Sequence, residues 1–136
     1  MKTLLLPLLL LVVALPASAS DGIHCNPNGN QSELNKCASD EQDKADAALN
    51  AVYRQVLQKN AGHPVALEKI RAAQRLWIQL RDADLAARYP VGKNEDPRML
   101  YGSIYPMVYA QARAELSRTR TTYLRKEFFE RSEYDL

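Results

Sequence analysis

Between Leu34 and Val56 the apolar residues return at every third or fourth position: Leu34, Cys37 or Ala38, Ala45, Leu49, Val52 or Tyr53, Val56. That period is one face of a long amphipathic helix, and it does not fit the alternation of a strand. Asn30 can cap its start, with Glu33 three residues on completing a capping box. Asn60-Ala61-Gly62 ends it, Gly62 being suited to a left-handed position past the helix end. Pro64 then sits where a first helical residue often does. A second inner face follows: Leu67, Ile70, Ala73 or Gln74, Trp77, Leu80 or Arg81, Asp84 or Leu85. So short a connection predicts that the two helices run antiparallel. Pro90, Gly92 and Pro97 break the next stretch, and Tyr89 to Gly102 reads as the one long loop. Long loops in small domains are often functional, the alternative being a plain connector. Ser103 can cap a third helix with Pro106 in its first turn. Its inner face would use Met107 or Val108, Ala112, Leu116, Thr119 and Tyr123, with a charged tail carrying Phe128, Phe129 and Tyr134. There is no strand signal and no internal repeat. The expected fold is all-α, an antiparallel three-helix bundle with helices at about 31–60, 64–88 and 103–130.

The first residues are not counted in that fold. Met1-Lys2 gives a positive start, Thr3 to Leu15 is an apolar run broken only by Pro7, and Pro16 precedes Ala17-Ser18-Ala19. This is the pattern of a secretory signal peptide over residues 1–19, cleaved near Ala19, leaving residues 20–136 as a single helical domain. The run is short of the roughly 20 apolar residues a spanning helix needs. The first cysteine after the cleavage motif is Cys25, so no lipidated cysteine begins the mature chain. The expected product is exported, periplasmic or secreted, with no stable membrane anchor. In such an oxidising compartment Cys25 and Cys37 should form a disulfide. By loop entropy it would contribute roughly 2–3 kcal/mol. A metal reading with His24 offers too few ligands, so no metal and no cofactor is expected. The formal net charge of +2 falls to +1 once Lys2 is removed. That excess is too small to point to nucleic acid.

Several polar residues fall on the apolar faces. Asp46, Asn50 and Tyr53 share one face of the first helix, and Gln74, Trp77 and Arg81 one face of the second. Folding the pair about Gly62 sets Asp46 near Arg81 and Asn50 near Gln74. A carboxylate–guanidinium pair in such a seam would fix register more than it adds stability. The functional alternative makes Asp46 a general base and Arg81 an anion holder. No Ser–His pair, second carboxylate or metal cluster accompanies them, so the structural reading is preferred. His24 and His63 read as coil and cap residues. Arg113, Arg118, Arg120 and Arg125, interleaved with Glu115, Glu127 and Glu130, read as a solvated helix face, with an anionic polymer as the alternative partner.

Three stretches in order resemble a known family. They are Cys25 … Gln31-Ser32-Glu33-Leu34-Asn35-Lys36-Cys37 … Ala45-Asp46 … Leu49-Asn50 … Tyr53; then Ala73-Gln74-Arg75-Leu76-Trp77 … Arg81-Asp82-Ala83; then Gly102-Ser103-Ile104-Tyr105-Pro106 … Ala114-Glu115-Leu116 … Arg120 … Leu124. Together they are similar to the LprI-like lysozyme inhibitor N-terminal domain family, over nearly the whole mature chain. The resemblance implies a helical exported protein with lysozyme inhibition as the family's activity. It also implies a second disulfide from the end of helix two to helix three. Those two positions fall here on Leu85 and Ala112, so the bridge is replaced by an apolar contact between expected neighbours.

Three readings follow. The first is an exported binding protein, not an enzyme, whose protein partner is a lysozyme. Contact would be made by the loop with Lys93, Glu95, Asp96 and Arg98. Opposite charge speeds the association of tight inhibitors. This near-neutral chain offers a basic partner only the local Glu95-Asp96 patch. The second reading is a periplasmic interaction or immunity-type module with no lysozyme role. The third, a hydrolase using Asp46, Arg81 and Gln74, ranks last. Oligomeric state is not encoded in any pattern read here.

Overall fold

The computed structural model describes residues 22–131, and the expected signal peptide and the last five residues, with Tyr134, lie outside them. Its main helices are α1 (Gln31–Lys59), α2 (Pro64–Arg88) and α4 (Tyr105–Leu124), with a short α3 (Pro97–Tyr101) in the connection before α4. No strand occurs among the described residues. The architecture is the expected antiparallel three-helix bundle. The side-chain bonds between helices give its directions. Asn35 reaches the Ser103 carbonyl, Asp46 reaches Ser117 and Lys59 reaches the Phe129 carbonyl, at near-constant separations of 68, 71 and 70 residues. A constant separation means that α1 and α4 run parallel. Gln74 meets Arg120, and Tyr89 meets Val108, so α2 runs antiparallel to α4.

The closest helix contact is between α1 and α4, not between α1 and α2. The cause is side-chain size. Ala38 and Ala45 on α1, and Ala110, Ala114, Ser117 and Thr121 on α4, are all buried. Small residues at helical spacing let two helix axes approach closely. Above them Leu49, Val52, Val56, Ile70 and Leu124 form the apolar core, with Tyr53, Trp77 and Phe128 packed on it. The expected inner face of the third helix is therefore corrected. Ala112 is buried as expected, but Thr119 and Tyr123 are exposed, and the stripe facing α1 is Ala110–Ala114–Ser117–Thr121–Leu124.

Cys25 and Cys37 are joined, tying the entry coil to the second turn of α1. Asn30 caps that helix as expected, its side chain accepting from the Ser32 and Glu33 amides while the Glu33 carboxylate accepts from the Asn30 amide. The other end differs from expectation. Gly62 is not left-handed. Asn60 ends the helix, its side-chain amide and its backbone N–H both donating to the Val56 carbonyl. Ser103 is not the cap of α4. Ile104 holds that position without a side-chain bond, and the Ser103 carbonyl instead accepts from Asn35. Beyond Leu124 the chain continues as a six-residue π-helical turn, Arg125–Glu130, which swings Phe128 onto the core. Lys59 closes it by donating to the Phe129 carbonyl at 2.6 Å, a cation on the acceptor end of a helix.

Candidate functional site

Two regions hold the polar and aromatic residues that a helical bundle does not need for its core. The first is the seam where α1, α2 and α4 meet. Asp46 comes from α1, and its carboxylate accepts from Ser117 Oγ at 2.6 Å and from Arg113 Nε at 3.3 Å. The expected partner, Arg81, is not bonded to it. Arg81 pairs with Asp82 at 2.7 Å on its own helix. Gln74 lies near Asn50, as expected, both lining one pocket, but is not bonded to it. Its Oε1 accepts from Arg120 Nε at 3.0 Å, and Asn50 is exposed. Both differences have one cause: α4, parallel and close to α1, delivers Arg113 and Ser117 to Asp46 before α2 can. Gln74 (7% exposed) and Arg81 (9%) are nonetheless buried. Trp77 is half-buried between two guanidinium groups, Arg81 at 5.3 Å and Arg120 at 5.6 Å from its ring centre. Arg120 also lies 5.2 Å from the Tyr123 ring, and burial lowers its pKa below the usual arginine value. Tyr53 packs against the apolar core.

A small pocket of about 130 Å³ opens at this seam, lined by Asp46, Asn50, Gln74, Trp77, Arg81 and Arg113 among others. Its chemistry is that of a satisfied polar core. Each Asp46 oxygen accepts from one partner residue, a hydroxyl or a guanidinium, and no buried side-chain nitrogen or oxygen among the described residues is left without a partner. Arg113, Ser117 and Arg120 were not singled out from the sequence as seam residues. The four arginines of the third helix read there as a solvated face, and the signal that could have sorted them is their phase against the Ala110–Ala114–Ser117–Thr121 stripe.

The second region is the connection from Tyr89 to Ile104. It is not an irregular loop. Asp96 caps α3 by accepting from the Arg98 amide at 2.7 Å, Pro97 fills the first helical position, and Gly102 closes the turn at φ 77°, where a side chain would be strained. The Glu95 carboxylate accepts from the Gly92 amide at 2.6 Å. Both acidic residues expected to form a contact patch are therefore holding the backbone in shape. Four tyrosines of this region form a cluster. Tyr89 lies about 6 Å from Tyr101, Tyr105 and Tyr109, and Tyr101 stacks on Tyr105 at 5.6 Å. Tyr101 donates to the Pro90 carbonyl and Tyr89 to that of Val108. Burial, and then its neighbours Tyr109, Tyr101 and Tyr89, raise the Tyr105 hydroxyl above its ordinary pKa. This knuckle exposes Met99, at 84%, with Leu100, Val91 and Ile104, among the exposed polar residues Asn94, Glu95 and Asp96. Lys93 and Arg98 flank them, also exposed.

No group of three or more metal-ligating side chains is found among the described residues, and no helix there is long and apolar enough to cross a membrane. Leu85 and Ala112 are both buried. The Tyr89–Val108 bond one turn away fixes the antiparallel register that sets them across from each other.

The fold and its surfaces thus define a small, disulfide-pinned helical bundle with a saturated polar seam and one structured, apolar-tipped connection. Residues 24–124 match the family model described as lysozyme inhibitor LprI, and the chain belongs to that family. It is also 35% identical, over 139 aligned residues covering 92% of this chain and 93% of the relative, to a protein of Rhizobium meliloti (strain 1021) described as uncharacterized. No solved structure matches the chain.

Proposed function

We propose that this protein is exported and inhibits lysozyme by protein–protein contact, using the knuckle around α3 as its contact surface. Family membership over residues 24–124 supports the activity. The disulfide supports an oxidising compartment, periplasmic or extracellular. The observation that carries the surface is Met99 standing 84% exposed on a backbone held by the Asp96 cap, the Glu95 bond and the tyrosine stack. Preorganised aromatic, Met and Arg residues around an apolar centre are what interface cores are made of. A rigid presenting loop also avoids the ordering cost that a flexible one would add on binding. In this reading Lys93 and Arg98 form a polar rim, and Glu95 and Asp96 shape the loop without carrying the contact.

The hydrolase reading has no comparable support: Ser117 and Arg113 hold the Asp46 carboxylate, and no second carboxylate among the described residues lines its pocket. The interaction-module reading keeps one specific argument. The chain has no acidic surplus with which to attract a basic lysozyme.

The test is lysis of cell-wall suspensions by lysozyme in the presence of the purified disulfide-bonded protein. Inhibition at low micromolar concentration or better is expected, and Met99→Asp with Leu100→Asp should abolish it while leaving the helical signal unchanged. A folded protein without inhibition would overturn the lysozyme reading in favour of a periplasmic or immunity-type partner. Inhibition that survives both substitutions would overturn the knuckle as the surface.

A further inference from the structure

The outward face of α2 carries a pattern that the bundle does not use. Opposite its buried residues Ile70, Gln74, Arg81 and Leu85 runs a second stripe at helical spacing: Val65, Ala73, Leu76, Leu80, Ala83 and Ala87. All six are exposed, Leu76 at 66% and Leu80 at 59%. Single exposed leucines need no explanation, but an unbroken apolar run on one helix face does, here from Ala73 to Ala87, with exposed Lys69 separating it from Val65. At a rise of about 1.5 Å per residue it extends for about 21 Å.

The order within the stripe is palindromic. Ala73, Leu76, Leu80 and Ala83 are arranged symmetrically about position 78. A second α2 laid antiparallel across a two-fold axis there would set each Leu76 against Leu80 of the other copy, and each Ala73 against its Ala83. Such self-matching is what a two-fold interface demands. Each contact would then have a Leu–Leu centre with alanine ends, where the two backbones approach most closely.

We infer that the outer face of α2 is a homodimer interface, occupied by a second copy of this chain in antiparallel register about position 78. One helix face of this length buries less than about 1,000 Å² over both partners, the range of weak, transient assemblies. The dimer is therefore concentration-dependent. It leaves the α3 knuckle free on each copy, so the protein would present two contact surfaces whatever their target.

Sedimentation equilibrium of the disulfide-bonded protein from about 1 to about 500 µM brackets the Kd such a face supports. A monomer–dimer equilibrium is expected, weakened at least tenfold by Leu80→Asp, whose side chain is already exposed and whose fold should persist by circular dichroism. Register is read from spin labels on Gln79→Cys and Glu68→Cys, each made alone. Antiparallel pairing puts the two labels close together at position 79 and about 30 Å apart along the axis at position 68. A monomer throughout the range, a dimer indifferent to Leu80→Asp, or equal short distances at both labels would each overturn the inference.

Discussion

Helices α1 and α2 are similar in length and share the bundle, yet they distribute their residues in opposite ways. The buried residues of α1 are Ala38, Ala45, Leu49, Val52 and Val56, and its exposed positions are charged or polar apart from Ala47 and Ala48. α2 buries Gln74 and Arg81 beside Ile70 and Leu85, and shows Leu76 and Leu80 to the outside. The partner each helix faces explains the inversion. α1 lies against the small-residue stripe of α4, where nothing bulky or charged fits. α2 stands further from both neighbours, and the space is bridged by long side chains: a glutamine, an indole and guanidinium groups stacked on it. Polar residues can be internal on α2 because α4 and Asp82 satisfy them. Its apolar stripe is external because the bundle has no further helix to cover it. One helix is built for the core of this chain, and the other has a face left for association.

The comparison breaks first at the α1–α4 seam. Ala114→Leu should be the most damaging change, since Ala114 is only 1% exposed and a close helix crossing cannot admit three more carbons. A loss of about 3 kcal/mol, at the upper end of overpacking costs, is expected in urea denaturation. The same change at an exposed alanine on α2, Ala83→Leu, should cost nothing. Cleaving the Cys25–Cys37 bridge should come next, at roughly 2–3 kcal/mol, measured as the shift in midpoint between oxidised and reduced protein. Asp46→Ala should follow, at about 1–2 kcal/mol, because it strands Ser117 and Arg113 while both ion-pair partners keep some solvent. Its melting temperature should fall while lysozyme inhibition by the folded fraction persists. An unchanged melting temperature would show that the seam is not holding register. A smaller effect is set by pH. With the Tyr105 hydroxyl raised above its unfolded value of about 10, its share of stability is whole below that pH and is lost as pH climbs through the folded value. Tyr105→Phe should flatten that alkaline loss in a melting series.

How far the fold could be read in advance depended on residue size. Helix α1 was legible because Leu49, Val52 and Val56 are large and regularly spaced, and its Asn30–Glu33 box is a strong local signal. The inner face of α4 was not, because its period is written in Ala, Ser and Thr, which carry little hydropathy. Choosing the larger Leu116 and Tyr123 rotated the face. That rotation also hid Arg113 and Arg120 among the solvent-facing arginines, and so misassigned the partners of Asp46 and Gln74. The connection before α4 was found as a feature but not as a structure. Asp96-Pro97 with Gly102 is a capped single turn, and in isolation so short a helix has little reason to form. The clustered tyrosines supply that reason, and their meeting depends on the α2–α4 register, which no local pattern contains.

The finest test of the comparison asks whether the outer leucines of α2 do anything for the monomer. Leu76→Asp and Leu80→Asp remove apolar groups that are more than half exposed and break no recorded bond within the chain. Surface changes of that kind normally lie within about 0.5 kcal/mol of zero. In dilute solution, where the chain is monomeric, both variants should unfold at the parent midpoint. At high concentration the parent alone should gain stability, because anything that binds only the folded state raises its apparent stability with concentration. A parent midpoint that climbs with protein concentration, against variants that stay level, would show that these leucines belong to a second molecule and not to the core. If Leu80→Asp instead lowers the dilute midpoint by more than about 1 kcal/mol, α2 is stabilised by its outer face within one chain, and the division of labour between the two helices fails.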